Sequence, residues 1–276
     1  MKFGLALPAR GENCRRDLLV DAALIAEEMG FDSIWVWDHY VTPSSQMYFD
    51  AWILLSHLAA VTSRIRLGTL VTPIPFRPPA ILAKMVASVD VLSGGRVILG
   101  AGAGWNRAEF EGYSSWADNV ARVDKTREGL NLILRLWSEP QVDFKGRFYL
   151  AKGAVLEPKP VQKPHPPIWF GSVGNRMLKM AAEYGDGWIP VFVSAEEYRE
   201  ARERLLSNLK AAGRSSEEMV FSFCDNKFST FEARRDSIEE YLEAGCEYYV
   251  ALWNIGEDQY KARLKKYANN VLSSFR

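Results

Sequence analysis

The amino-acid sequence predicts an α/β protein that folds as a single (β/α)8 TIM barrel. Three observations lead to this prediction. Short apolar segments alternate with amphipathic segments of helical period along the chain. The apolar segments lack polar alternation, which is typical of a parallel sheet covered by helices. Eight strand–helix pairs fit into 276 residues, about the length of one barrel. We therefore expect one domain over residues 1–276.

An open, doubly wound sheet is the alternative fold for the same alternation of elements. Such sheets commonly carry the pattern GxGxxG after their first strand, where it binds a dinucleotide. The first predicted strand continues here as PARGEN, without that pattern. The barrel is therefore the preferred fold.

The first half of the chain supplies four strands and four helices. Buried apolar runs predict the strands Lys2–Pro8, Ser33–Trp37, Ile65–Val71 and Val97–Ala101. Apolar residues at helical spacing predict the helices Asp17–Met29, Phe49–Val61, Pro79–Leu92 and Arg122–Trp137. Pro79 suits a first helical turn, and Gly94 and Gly95 end the same helix.

A proline-rich segment, residues 140–165, interrupts this alternation. Its sequence FKGRFYL predicts a small hairpin, an insertion before strand five that we expect to lie over the barrel mouth. The alternation then resumes with the strands Ile168–Gly171, Gly187–Val191, Val220–Cys224 and Tyr248–Trp253. The remaining predicted helices are Arg176–Tyr184, Ala195–Ala212, Phe231–Ala244 and a charged C-terminal helix.

The composition excludes several classes of function. Lysine plus arginine and aspartate plus glutamate number 34 each, so no net charge favours nucleic acid or an anionic membrane. No apolar run approaches the roughly 18 residues of a membrane span, and the N-terminus lacks the apolar core of a signal peptide. Three widely spaced cysteines without a CxxC pair indicate a reducing compartment. We expect a cytoplasmic protein.

The functional surface of such a barrel lies at the carboxyl ends of its strands. Here these ends are rich in small and aromatic residues, which is typical of a surface for a flat, largely apolar ring system. They comprise Pro8–Ala9, Trp37–His39, Leu70–Pro73, Gly102–Asn106, Gly171–Asn175, Pro190–Val191, Cys224–Asn226 and Trp253–Asn254.

His39 is the clearest candidate for chemistry at this surface. It directly follows the second strand, beside Asp38, and an imidazole there could exchange a proton near neutral pH. The alternative is a histidine that only caps a loop by hydrogen bonds. His57, within a helix, and His165, between prolines, are interpreted as structural. Because the histidines are not clustered with cysteines or spaced carboxylates, we expect no metal site.

The segment Gly171–Asn175 joins a strand to a helix. Its glycines let the backbone approach an anion, and the unpaired N–H groups of the helix start point toward it, so the segment is a candidate phosphate site. The alternative is an ordinary glycine turn with Ser172 or Asn175 as the helix cap. Gly102–Gly104 carries a weaker signal, because glycines at a strand end often serve packing only.

Several sequence motifs resemble those of one known family. The run LGTLVTPIPFRPPAILAKMVASVDVLSGGRVILGAGAGWNRAEFE, Leu67–Glu111, resembles the core signature of the bacterial luciferase-like monooxygenase superfamily. The segments WDHY, PHPPIWFGSVGN and AAEYGDGW match further signatures, and the resemblance extends from Phe3 to about Pro190. It implies a β/α barrel that binds reduced FMN or the deazaflavin coenzyme F-420. The sequence motifs WDH, SGGR and GAGWNRAEFE are most similar to the corresponding motifs of F-420-dependent oxidoreductases.

The resemblance also implies roles for individual residues. In the F-420 branch, a bulge with a non-prolyl cis peptide after strand three backs the cofactor ring, and the matching residues are Leu70–Val71, leading into Thr72. His39 is the implied catalytic residue. The implied cofactor-binding residues are Asp38, Leu70, Val71, Thr72, Gly104, Trp105, Asn106, Gly171, Ser172, Val173, Gly174 and Asn175.

Trp105 departs from the pattern of this branch. In its sugar-phosphate dehydrogenases a glutamate follows the GxG of strand four, and Trp105 stands in that place here. The acid partner and the sugar-phosphate specificity are therefore not carried over. We expect a smaller or more apolar substrate.

Three functions are compatible with the resemblance. The preferred one is an F-420-dependent oxidoreductase that transfers hydride between the deazaflavin and a small organic substrate. The second is a two-component monooxygenase that uses reduced FMN and oxygen, and the third is a flavin-binding protein without turnover. An unrelated Schiff-base aldolase has thin support, because only Lys227, in a polar loop, could serve. A homodimer or higher homo-oligomer is left open.

Overall fold

The computed structural model describes residues 1–7, 9–225, 231–252 and 260–275. Within these residues, eight parallel strands close into a barrel: β1 (Lys2–Leu7), β2 (Ser33–Val36), β3 (Arg66–Thr69), β4 (Val97–Gly102), β5 (Ile168–Phe170), β6 (Gly187–Trp188), β7 (Val220–Asp225) and β8 (Tyr248–Leu252). The strands pair in chain order, and β1 closes the barrel by pairing with β8, Lys2 opposite Tyr248. The predicted (β/α)8 barrel is confirmed.

The helices of the barrel also follow the predicted order, with ends shifted by a few residues. They are α1 (Arg16–Glu28), α2 (Ala51–Val61), α3 (Pro79–Ser93), α4 (Arg107–Tyr113), α5 (Asn119–Ser138), α6 (Asn175–Tyr184), α7 (Ala195–Ala211), α8 (Phe231–Glu243), α9 (Tyr260–Tyr267) and α10 (Ser273–Phe275). Three short 3-10 helices (Gly11–Asn13, Ile74–Phe76, Ser216–Glu218) and a π-helix (Ala268–Leu272) complete them. No helix in the described ranges is long and apolar enough to cross a bilayer.

Local sequence explains where several helices begin and end. The Asp50 carboxylate accepts hydrogen bonds from the second and third residues of α2 and so caps it. Gly94 ends α3 in the left-handed conformation, φ +68°, as the glycine pair predicted. Helix α4 was not predicted from the sequence. It has seven residues, too few to show a helical apolar period.

The barrel has two apolar layers. One lies between the strands and the surrounding helices, and the other fills the inside of the barrel. Trp35 and Trp169 meet inside, with ring centroids 5.0 Å apart. A Cβ atom at Gly68 would lie 2.3 Å from the Trp35 ring, so glycine there makes room for the indole. The inside of the barrel is therefore packed with side chains, and a site must lie at one of its ends.

The third strand is shorter than predicted. The sequence predicted one continuous strand over Ile65–Val71. Strand β3 ends at Thr69, the Leu70–Val71 peptide bond is cis, and the short strand Thr72–Pro73 then pairs with Ala101 and Gly102 of β4. The non-prolyl cis peptide expected from the family resemblance is thus present. The chain bulges at the carboxyl-terminal end of the barrel.

The predicted hairpin is present, as the antiparallel strands Val142–Lys145 and Leu150–Ala154. Its turn is fixed by the Glu128 carboxylate of α5, which accepts hydrogen bonds from the backbone N–H groups of residues 147–149. Arg135 of α5 also donates to the Asp143 carbonyl. These contacts hold the hairpin against α5, and its position over the barrel mouth stays a prediction.

Several residues assigned to strand ends lie outside the described residues. They are Pro8, Asn226, Lys227, Trp253 and Asn254. The proposals below rest on the strand ends that the structure describes.

Candidate active site

The mouth of the barrel is built around the bulge after β3. The Val71 side chain packs on glycines at the ends of β4 and β5. A Cβ atom at Gly102 would lie 2.7 Å from Val71, and one at Gly171 would lie 2.8 Å from it. Any larger residue at these two positions would displace Val71. Gly171, expected to be needed for anion approach, is therefore already required by packing.

A buried ionic network supports the bulge. Arg77 donates to both carboxylate oxygens of Asp38 at 2.7 Å, and it donates to Asp50 at 2.9 Å. The Thr72 hydroxyl donates to Asp38 at 2.8 Å. Burial lowers the pKa of the Arg77 guanidinium, but the carboxylates of Asp38 and Asp50 more than offset this and raise it above its ordinary value.

This network changes the interpretation of two predicted cofactor contacts. Asp38 and Thr72 are fully buried, and the hydrogen-bonding groups of both side chains are engaged within the network. Both side chains therefore support the bulge, and their contact with a cofactor stays a prediction. The Asp38 carboxylate pairs with Arg77, whereas the hydrogen bond of the His39 ring goes to Glu109.

His39 instead pairs with a glutamate from α4. The imidazole Nδ1 lies 2.9 Å from Oε2 of Glu109. The other oxygen, Oε1, accepts the backbone N–H groups of Tyr40, at 2.5 Å, and Val41, at 3.1 Å. The Glu109 side chain is 1% exposed and the His39 side chain is 18% exposed. The carboxylate is thus buried behind an imidazole that still reaches solvent.

Sequence reasoning missed Glu109 as a functional residue. It lies within the run that carries the family resemblance, but helix α4 went unrecognised and the contact joins residues 70 positions apart. The signal that could have found it is an acidic residue in the segment after strand four, where the strand ends converge. Asn106, expected to bind cofactor, also serves this loop, because its Nδ2 donates to the Val41 carbonyl at 2.9 Å.

Aromatic rings surround the His39 imidazole. The Trp105 ring meets it edge-on with centroids 5.7 Å apart, and the Tyr48 ring lies at 6.0 Å. Trp105 is 61% exposed, an unusual state for a large indole. Gly104 allows the preceding turn, since its φ is +80° and a Cβ would lie 2.5 Å from the Phe110 ring. The mouth therefore offers an apolar, aromatic wall beside a titratable group.

The segment Gly171–Asn175 leads into α6. Gly174 is the N-cap residue, without a side-chain cap, and a Cβ there would meet no atom within 4 Å. Neither Ser172 nor Asn175 caps the helix; Oδ1 of Asn175 accepts from Arg204 at 2.8 Å. The start of α6 thus has no side-chain cap and lies beside open space at Gly174, while Arg176 on the same turn donates to the Val120 carbonyl and pairs with Asp124.

A closed parallel barrel with a histidine–glutamate pair at its carboxyl-terminal mouth defines a (β/α)8 protein whose candidate site lies at its strand ends. The sequence model of the luciferase-like monooxygenase family matches residues 1–271 of the chain. The chain belongs to this family. The resemblance seen in the sequence is thereby confirmed.

The chain is similar to two relatives and to one solved structure. The chain is 33% identical over 207 residues to the F-420-dependent glucose-6-phosphate dehydrogenase of Amycolatopsis mediterranei, covering 73% of this chain and 61% of that protein. It is 31% identical over 256 residues to the phthiodiolone/phenolphthiodiolone dimycocerosates ketoreductase of Mycobacterium tuberculosis, covering 84% and 66%. The chain thus spans less than two thirds of the length of each relative.

The solved structure of monooxygenase RslO1 from Streptomyces bottropensis superposes on the whole chain with a TM-score of 0.87, at 20% identity and with 100% of both chains covered. At that identity the similarity establishes the shared fold. The choice between deazaflavin and flavin chemistry must come from the residues of the site.

Proposed function

We propose that this protein is an F-420-dependent oxidoreductase that transfers hydride between the deazaflavin and a small alcohol or carbonyl compound. The observation that carries the proposal is the partly exposed His39, held by buried Glu109 at the barrel mouth beside an open aromatic wall. Such an arrangement suits removal or delivery of one proton at a substrate oxygen. Support for the cofactor comes from the 33% identity to an F-420-dependent dehydrogenase.

The residues at the mouth fit this cofactor. Partly exposed Val71, seated on Gly102 and Gly171, offers an apolar surface against one face of a flat ring. The uncapped start of α6 at Gly174 offers N–H groups in open space to a phosphate. When bound, F-420 would supply or accept the hydride, as a carrier of two electrons.

His39 is the proposed proton carrier. In alcohol oxidation, the imidazole would accept the hydroxyl proton of the substrate. In carbonyl reduction, the imidazole would return a proton to the carbonyl oxygen. The Trp105 and Tyr48 rings beside His39 would contact the apolar body of the substrate.

The substrate is proposed to be apolar rather than a sugar phosphate. Trp105 places an exposed indole where the sugar-phosphate enzymes carry a carboxylate, and indoles bury apolar surface well. The ketoreductase relative is named for substrates of lipid type, which agrees with this direction. Cytoplasmic residence and a homo-oligomeric state remain predictions of the sequence.

Titration of the purified protein with F-420 and with FMN, each oxidised and reduced, tests the cofactor. We expect micromolar or tighter binding of F-420, and binding of FMN at least tenfold weaker, about 1.4 kcal/mol. FMN bound tenfold more tightly than F-420 would instead identify the two-component monooxygenase. Absorbance of F-420, followed with a panel of alcohols and ketones of graded length, then tests the substrate class.

A further inference from the structure

We propose that Glu109 is a positioning residue that fixes the tautomer of His39, keeping the proton on Nδ1 and leaving Nε2 to exchange a proton with the substrate. The tautomer is a property of the chain itself. Only its consequence for turnover rests on the proposed function.

One oxygen of the Glu109 carboxylate, Oε1, contacts the backbone that follows His39. This oxygen accepts two backbone N–H groups, from Tyr40 at 2.5 Å and Val41 at 3.1 Å. Backbone N–H groups can only donate, so the atom at this position must be an acceptor. Two such donors, together with burial of the side chain, hold the carboxyl group in one orientation.

The other oxygen, Oε2, faces Nδ1 of His39 at 2.9 Å. An ionised carboxylate can only accept hydrogen bonds, so Nδ1 must carry the proton. The neutral imidazole then keeps its lone pair on Nε2. In the described part of the chain, Glu109 has no ion-pairing partner besides His39.

The other groups near His39 leave Glu109 as its partner. Trp105 lies edge-on to the His39 ring, and its indole has no acceptor for a proton. Asp38, the other nearby carboxylate, is engaged by Arg77 and Thr72. Glu109 is therefore the carboxylate that can orient the imidazole.

Glu109→Gln gives a sharp test because the amide has two unlike ends. The N–H groups of Tyr40 and Val41 need an acceptor, so the amide oxygen must take the Oε1 position. The NH2 group then faces Nδ1 and donates to it, which moves the imidazole proton to Nε2. The substitution should therefore invert the tautomer with little change of shape. Glu111→Gln is the matched control, because Glu111 lies on the same helix and is about half exposed.

The tautomer is read by NMR of protein labelled with 15N in histidine, without cofactor. The chain has three histidines, and His39→Asn assigns the signal of His39. At a pH where the ring is neutral, we expect the proton on Nδ1 in the parent and in Glu111→Gln, and on Nε2 in Glu109→Gln. A parent protein with the proton on Nε2 overturns the proposal, even if Glu109→Gln fails to fold. An unchanged tautomer in a folded Glu109→Gln overturns it as well.

Turnover completes the test. With the tautomer inverted, turnover should fall about 10²–10⁴-fold while F-420 affinity stays within about threefold, since the cofactor contacts are kept. An inverted tautomer with parental turnover overturns the role in proton exchange. If the parent binds no F-420, the proposed function fails, but the NMR result still decides whether Glu109 fixes the tautomer.

Discussion

The buried pair of Arg77 and Asp38 makes a strong prediction about stability. Arg77→Gln removes the guanidinium that donates to both Asp38 oxygens at 2.7 Å and leaves the fully buried carboxylate without its counter-charge. Breaking such a pair from one side costs about 3–5 kcal/mol, because the remaining charge has lost its hydration and its partner. A loss of this size lowers the melting temperature by roughly 6–15 °C.

Chemical denaturation at neutral pH measures the free energy of unfolding. Arg107→Gln is the control, because Arg107 pairs with Glu111 on the surface at 69% and 51% exposure, and such pairs contribute less than about 1 kcal/mol. Adding Asp38→Asn to Arg77→Gln should recover part of the loss, since it removes the stranded charge. If Arg77→Gln costs no more than Arg107→Gln, the network does not support the bulge as argued.

Four further predictions concern the site. His39→Ala should lower turnover about 10²–10⁴-fold with little change in F-420 affinity, and turnover within threefold of the parent would contradict proton exchange by this residue. Gly174→Asp should leave the fold intact, because a Cβ there meets open space and aspartate caps helices well. The added carboxylate should repel the phosphate of F-420 and weaken binding at least tenfold. Unchanged binding in a titration would place the phosphate elsewhere. Gly171→Val, in contrast, should lower thermal stability by about 1–3 kcal/mol through its clash with Val71, whatever the ligand, and a parental melting temperature would refute this packing. Trp105→Ala should reduce kcat/KM for long apolar substrates roughly tenfold and change it little for short ones; equal losses for both would argue against a substrate wall.

The sequence alone was enough to predict the barrel and its order of elements. The spacing of apolar residues along the chain is a local property of the sequence. A buried parallel strand such as Val97–Gly102 is visible as an uninterrupted apolar run. The position of His39 directly after β2 also followed from the sequence, because the carboxyl ends of parallel strands gather at one face. The cis peptide at Leu70–Val71 was anticipated only through the family resemblance.

The partners of these residues were decided by the tertiary structure. Asp38 and His39 are neighbours in sequence, yet they have different partners. The Asp38 carboxylate pairs with Arg77 inside the protein, and the His39 imidazole pairs with Glu109 at the mouth. No local sequence pattern determines these partners, because successive residues after a strand project in different directions. Each side chain then contacts residues from loops that are distant in sequence. The hairpin was likewise predicted from the sequence. Its position along α5 depends on Glu128, which accepts hydrogen bonds from the backbone N–H groups of the turn. Local periodicity thus determines which elements form, whereas contacts between distant segments determine which side chains share a site.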